Sequence, residues 1–319
     1  MELAKRDTLG VNLVLKHQEP EQIKTYIEKL KKLGVAWVRF EFNFFEEIAD
    51  DILDFTIAAL EKEKIQILGL LTGLVPGNIV NSIIPSLNFQ NPLDSGIEGY
   101  LQFCKKYVER YKGRITHWEV WNEQNTIRFW IRKPDSKEYM QLLKETVPII
   151  RGIDSNNKIV MGAIMGDDIH KFAPFQEMYF VRQCLDLGID EWVDIYNFHP
   201  YVPSCYVSLQ AKDYYVPAIK ETIQNFREEY KDITKEIWIT EFGICPKWVK
   251  VSETEIGEVY AELLQHCESV GMKFFLWVSS DFPRSKDYSW ANPELYFGLL
   301  DIDLQEKELY QSFYKSLQS

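Results

Sequence analysis

Apolar and polar positions follow two alternating rhythms along the chain. Short runs rich in β-branched and aromatic residues read as strands: LGVNLVL at 9–15, VAWVRFEF at 35–42, KIQILGLL at 64–71, THWEVWNE at 116–123, KIVMGAI at 158–164, VDIYNFHPY at 193–201, EIWITEFGI at 236–244 and MKFFLWVSS at 272–280. Longer stretches with helical spacing lie between them. Residues 21–34 place Ile23, Ile27 and Leu30 on one stripe and close on Gly34, and residues 97–113 and 253–271 follow the same pattern. Repeated strand-then-helix order predicts a parallel sheet covered on its outer face. Eight such units predict an α/β fold of one kind, a single eightfold β/α (TIM) barrel, as one domain over residues 1–319. The competing fold is an open doubly wound sheet. It would carry a glycine-rich phosphate loop after its first strand, where this chain has KHQEPEQ, without glycine.

The bulk numbers change this picture little. A chain of 319 residues with 46% hydrophobic content can fill the core of such a barrel. A net charge of −12 argues against nucleic acid, whose affinity comes from cations meeting phosphate. It leaves neutral partners such as sugars open. Cys104, Cys184, Cys205, Cys245 and Cys267 form no CxxC pair, so free thiols in a reducing compartment are expected. The start lacks the apolar stretch of a signal peptide, and no apolar run reaches membrane-spanning length. A cytoplasmic protein is the default expectation, with a trimmed leader as the alternative.

In a β/α barrel the chemistry gathers where strands end. Those ends are polar and aromatic here. The second strand carries Arg39 and Glu41, and the fourth ends in Asn122-Glu123. The sixth places Asn197, His199 and Tyr201 on one face. The seventh ends in Thr240-Glu241, and the eighth carries Trp277 and Ser279. Two glutamates across one pocket suit glycoside hydrolysis, where one carboxyl protonates the leaving oxygen and the other attacks the sugar or activates water. Arg39 and a tyrosine such as Tyr201 would keep Glu241 ionised, while aromatic surroundings would let Glu123 hold its proton. The structural alternative is that Arg39 simply neutralises Glu41, Glu119 or Glu241, with Glu119, four residues before Glu123 on the same strand face, the favoured structural member.

Loop aromatics are candidate platforms for sugar rings. Phe129 and Trp130 follow the fourth strand, Trp248 the seventh, and Tyr288 and Trp290 the eighth, while the Pro- and Asn-rich segment 73–94 follows the third. The histidines at 17, 117, 170, 199 and 266 form no HxH or HExxH pattern, so neither a metal nor another cofactor is expected. His117 reads as a buried, bonded histidine. A Cys245 nucleophile would need a base, and none is evident.

These residues carry a resemblance. WEVWNEQN resembles the Trp-Asn-Glu-Pro signature of the clan A glycoside hydrolases, and WITEFGI resembles the strand bearing their nucleophile. NFHPY looks like their sixth-strand segment, Trp277 like their eighth-strand tryptophan, and YFGLLDID at 296–303 like the approach to their closing helix. The motif match runs from about residue 115 to the C-terminus; before that, Arg39 is the position that matches well. The β-xylosidase/α-L-iduronidase and cellulase/mannanase families are the nearest in character, and the β-sandwich domain that the former usually adds finds no room in this length. The resemblance implies a retaining mechanism on an oligosaccharide or glycoside, with Glu123 as acid/base and Glu241 as nucleophile. It implies Asn122 on the sugar 2-hydroxyl, Arg39 and Tyr201 holding Glu241, His199 lining the pocket and Trp277 flooring the subsite; Trp130 and Trp290 are added from the loops. One position departs: Gln124 stands where the signature has proline, which frees the turn or gives the amide a new role. The rival expectation is a non-catalytic carbohydrate-binding barrel. A metal-dependent lyase or an aldolase is disfavoured, because the strand ends offer neither a metal cluster nor a lysine.

Overall fold

The computed structural model describes residues 2–15, 19–45, 48–73, 93, 96–130, 133–165, 179–201, 212–247, 249–282 and 293–318. Eight parallel strands close into a barrel in sequence order, β1 pairing with both β2 and β8. The strands are β1 Arg6–Asn12, β2 Val35–Asn43, β3 Gln66–Thr72, β4 His117–Asn122, β5 Lys158–Met165, β6 Ile195–His199, β7 Glu236–Phe242 and β8 Phe274–Leu276. Helices follow them: α1 Pro20–Lys32, α2 Asp50–Lys62, α3 Ile97–Arg110, α4 Ser136–Ile153, α5 Phe180–Asp186, α6 Lys212–Glu229, α7 Glu253–Ser269 and α8 Glu308–Ser316. This is the single β/α barrel that the two rhythms predict.

The helices form for local reasons. In α1, Ile23, Tyr26, Ile27 and Leu30 share the buried stripe. Pro20 opens the helix with its fixed φ, and the Gln22 side chain returns to the Glu19 N–H at 2.9 Å. Helix α7 begins on a reciprocal Ser252/Glu255 box. Two strands differ most from expectation. β1 starts at Arg6 rather than residue 9, because the polar Arg6, paired with Glu268 across the barrel's outside, carries no apolar signal. β8 shrinks to Phe274–Leu276, and its extension is anchored instead by Trp277 N–H donating to Phe242 O and Ser279 N–H donating to Asn12 O.

Inward-facing side chains are layered. The bottom is an aromatic plug: Trp37 lies edge-on to His117 and Trp238 at 4.9 and 5.1 Å, and His117 stacks on Trp238. Phe275 completes it against Gly10, where a Cβ would come within 2.3 Å of the Phe275 ring. Glycine in β1 is what lets that ring fill the axis. The plug seals the barrel below, so one polar end remains. His117 is held as expected, bonded to Thr116 Oγ1 at 3.0 Å, and burial pushes its pKa down to about 4.

Candidate active site

One rung above the plug, Arg39 of β2 is the hub. Its Nε and Nη2 donate to Glu119 at 2.7 and 3.1 Å, and Nη1 donates to Glu241 Oε1 at 2.6 Å and to Asn12 Oδ1 at 2.8 Å. Nη2 also donates to Asn122 Oδ1 at 2.8 Å. The five bonds match the five N–H donors of a guanidinium. Burial works against the cation, but Glu119 and Glu241 outweigh it and raise its pKa further. Glu119 is fully buried and also accepts from Asn197 Nδ2 at 3.0 Å and Ala163 N at 3.2 Å. It is tied entirely into the frame, as a structural acid should be.

Glu123 leaves β4 with φ at +45°, two residues after Trp121 at +71°. Left-handed backbone at such residues costs about 1–3 kcal/mol each and needs surroundings that impose it. Those are present. Glu123 N–H donates to Ala163 O at 2.7 Å, and the Thr126 N–H and hydroxyl both donate to Glu123 O at 2.9 Å. The Asn125 amide extends the ladder by side chain, donating to Met165 O and accepting from Met165 N, both at 2.9 Å.

Gln124 points the other way. Its Nε2 donates to Gly162 O at 2.7 Å inside the β4–β5 wall, and its Oε1 is buried without a hydrogen-bond partner. A Cβ on Gly162 would lie 2.5 Å from that Oε1. The departure from proline therefore neither loosens the turn nor adds an amide to the site; it packs the wall.

His199 of β6 stands between the two glutamates. Its Nδ1 is 2.9 Å from Glu123 Oε1 and 3.8 Å from Glu241 Oε2. Burial lowers its pKa to about 4, the nearby Glu241 charge opposing and Arg39 reinforcing, so the ring is neutral near pH 7. Ligand atoms of Glu123, His199 and Glu241 all lie within 4.8 Å of one another, a spacing a cation could bridge, although Arg39 already holds one Glu241 oxygen.

For Glu241, burial and charged neighbours pull in opposite directions. Burial is the largest influence and raises its pKa from the ordinary value, with the Glu123 charge adding to it and His199 and Arg39 opposing. Arg39 pulls in the expected direction without winning. Tyr201 is buried, edge-on to His199 at 6.2 Å and over Phe242 at 6.1 Å. Trp277 is half-buried at the end of β8, beside Phe282, and precedes a cis peptide.

Trp130 corrects an expectation. It is fully buried, donates its indole N–H to Glu138 at 2.9 Å and sits edge-on between Trp121 and Tyr139. Its ring is wall, not platform, because the single helical turn Ile127–Trp130 folds it inward. Trp290, Trp248, Tyr288, His17, His170, Cys205 and most of segment 73–94 lie outside the described residues. Cys104, Cys184, Cys245 and Cys267 are buried and none of the four is in a disulfide.

Two residues escaped the sequence reading. Asn12, the last residue of β1, accepts from Arg39 and donates to Thr240 O at 2.8 Å; its polarity inside the apolar run LGVNLVL was the available signal. Phe45, just past β2, is 39% exposed at the mouth. Its ring and that of Trp121 both lie against Gly73, where a Cβ would lie 3.0 Å from Phe45 and 2.9 Å from Trp121.

The closed β/α barrel, together with the family match and the relatives that follow, supports a clan A glycoside hydrolase. The profile described as Cellulase (glycosyl hydrolase family 5) matches residues 9–282, and the chain belongs to that family. The match thus reaches the amino-terminal half, which the motifs alone left thinly connected.

A β-xylosidase of Geobacillus stearothermophilus is 23% identical over 222 residues, covering 65% of this chain and 42% of that protein. The chain therefore spans less than half of that relative. Among solved structures, a family 39 glycoside hydrolase from Bacteroides cellulosilyticus WH2 aligns with TM-score 0.68 at 20% identity, over 98% of this chain and 63% of that one. An endo-laminarinase from Formosa Hel1_33_131 aligns with TM-score 0.69 at 13% identity, over 96% and 86%. Both similarities are of fold. Among the described residues no helix is long and apolar enough to cross a membrane.

Proposed function

We propose that the chain is a retaining glycoside hydrolase acting by double displacement on a β-glycoside of a neutral sugar. Glu241 Oε1 is committed to Arg39, which leaves Oε2 to attack the anomeric carbon. The bond to the leaving oxygen breaks, its electron pair goes to that oxygen, and Glu123 supplies the proton. Glu123, now a carboxylate, takes a proton from water as that water attacks the same carbon and releases Glu241. Asn122 reads the sugar 2-hydroxyl beside Glu123, and Trp277 and Tyr201 bound the ring.

The observation that carries this reading is the closeness and unlike company of the two acids. An oxygen of each lies within 4.8 Å of the other, in keeping with the separation of about 5–5.5 Å that retention uses. One acid faces a permanent cation and the other a neutral imidazole, a difference suited to nucleophile and proton donor. The name of the curated β-xylosidase supports the β-glycoside assignment.

A panel of aryl β-glycosides tests it, with Glu241→Ala as the variant. The panel is expected to reveal turnover on at least one sugar. The variant is expected to lose roughly 10³-fold or more and to regain part with added azide. An active panel with an unimpaired Glu241→Ala overturns the assignment.

A further inference from the structure

Between the buried acid Glu119 and the acid Glu123 runs a continuous chain of hydrogen bonds through three polar residues. Asn197 Nδ2 faces Glu119 Oε1 at 3.0 Å and Thr240 Oγ1 at 2.8 Å. Thr240 Oγ1 faces His199 Nε2 at 3.1 Å, and His199 Nδ1 faces Glu123 Oε1 at 2.9 Å. Asn197, Thr240 and His199 are each fully buried, so bulk water does not compete for these atoms.

The chain has a direction. Glu119, ion-paired with Arg39, accepts, so the Asn197 atom facing it is the amide nitrogen. That nitrogen has a second N–H, which it gives to Thr240 Oγ1. The Thr240 hydroxyl then has one proton to place, with two acceptors in reach: Asn197 Oδ1 at 3.0 Å and His199 Nε2 at 3.1 Å. Given to Asn197, it would leave His199 to be protonated on Nε2, and the bare Nδ1 lone pair would face a Glu123 oxygen. Given to His199, it makes Nε2 the acceptor and Nδ1 the donor, and the row is matched from Glu119 through to Glu123, at the expense of the Thr240 bond to Asn197 Oδ1.

We propose that Thr240 is a positioning residue for the acid/base: its hydroxyl fixes the His199 tautomer, so that Nδ1–H donates to Glu123 Oε1 and the transferable proton is confined to Oε2. This deepens the assignment of Glu123 as acid/base and rests on it. One tautomer serves both half-reactions. While Glu123 is an acid, Oε1 is its carbonyl and accepts from His199, and Oε2 carries the proton. Once the proton has gone to the leaving oxygen, the same N–H steadies the carboxylate that must next deprotonate water. No proton has to move through the imidazole. The charged and titratable groups around His199 are Glu123 and Glu119 from β4, Glu241 from β7 and Arg39 from β2, with the Tyr201 ring edge-on.

A donor to the ionised form lowers a carboxyl pKa, so loosening it raises the basic limb of the pH profile. In Thr240→Val, kcat/KM on an aryl glycoside is expected to fall roughly tenfold, with the basic limb displaced upward by about half a pH unit. Thr240→Ser restores both. Nitrogen-15 NMR of histidine-labelled native protein is expected to find His199 protonated on Nδ1, a readout that stands even if Thr240→Val does not fold. A basic limb unmoved in a folded Thr240→Val protein, or His199 protonated on Nε2, overturns the proposal. Glu123→Gln separates the two levels: a basic limb persisting there removes the acid/base assignment itself, whereas a limb lost there but unmoved by Thr240→Val removes the relay alone.

Discussion

Arg39 and Glu119 meet through two parallel hydrogen bonds of 2.7 and 3.1 Å, both side chains shut off from solvent. The pair is the frame on which the two candidate catalytic acids hang, since the same guanidinium reaches Glu241 and Asn122. Glu119 and Glu123, four residues apart on one strand, should therefore fail differently when replaced. Removing one partner of a buried pair leaves an uncompensated charge. Glu119→Ala is expected to lower unfolding free energy by about 3–5 kcal/mol in urea titrations. Glu123→Gln is expected to change it little while sharply lowering turnover. Equal stability losses in the two variants would contradict the division of labour.

Stability should also depend on pH through the buried histidines. Burial takes His199 and His117 from the ordinary 6.5 to about 4 in the folded protein. Between those values the unfolded chain binds more protons than the native one, so acidification favours unfolding. The contribution is present above about pH 6.5 and is lost as pH falls toward 4, on the order of a few kcal/mol in total. Urea midpoints measured from pH 7 to pH 4 should fall steadily. His117→Phe, which keeps a ring between Trp37 and Trp238, should flatten part of that slope. A midpoint constant from pH 7 to 5 would rule this out.

Trp130 separates wall from platform. Trp130→Phe removes the indole bond to Glu138 and keeps most of the packing against Trp121 and Tyr139. It should cost about 1 kcal/mol of stability and leave KM unchanged. A raised KM at unchanged stability would return Trp130 to the substrate side.

The barrel was legible because each strand carries its own apolar signature, and strand ends convert sequence position into a shared mouth. That logic placed Arg39, Asn122, Glu123, His199 and Glu241 together before any coordinates. What it missed depends on direction rather than position. Nothing in WNEQN says that Gln124 turns toward Gly162 while Glu123 turns toward His199; the left-handed φ at Glu123 decides it. Trp130 looked like a platform because its loop was placed and its rotation was not. For Glu241 the sequence showed the charged neighbours that lower its pKa, whereas the opposing desolvation became visible only with the packing around it.

The central claim is that Glu241 becomes covalently bonded to sugar. An activated 2-deoxy-2-fluoro glycoside of the sugar that turns over best slows release of such an intermediate, and mass spectrometry of the digested protein locates the adduct. One added fluorosugar is expected, on the peptide containing Glu241, with inactivation in step with labelling. Inverted configuration in the first-formed product, or an adduct on any other residue, would contradict it.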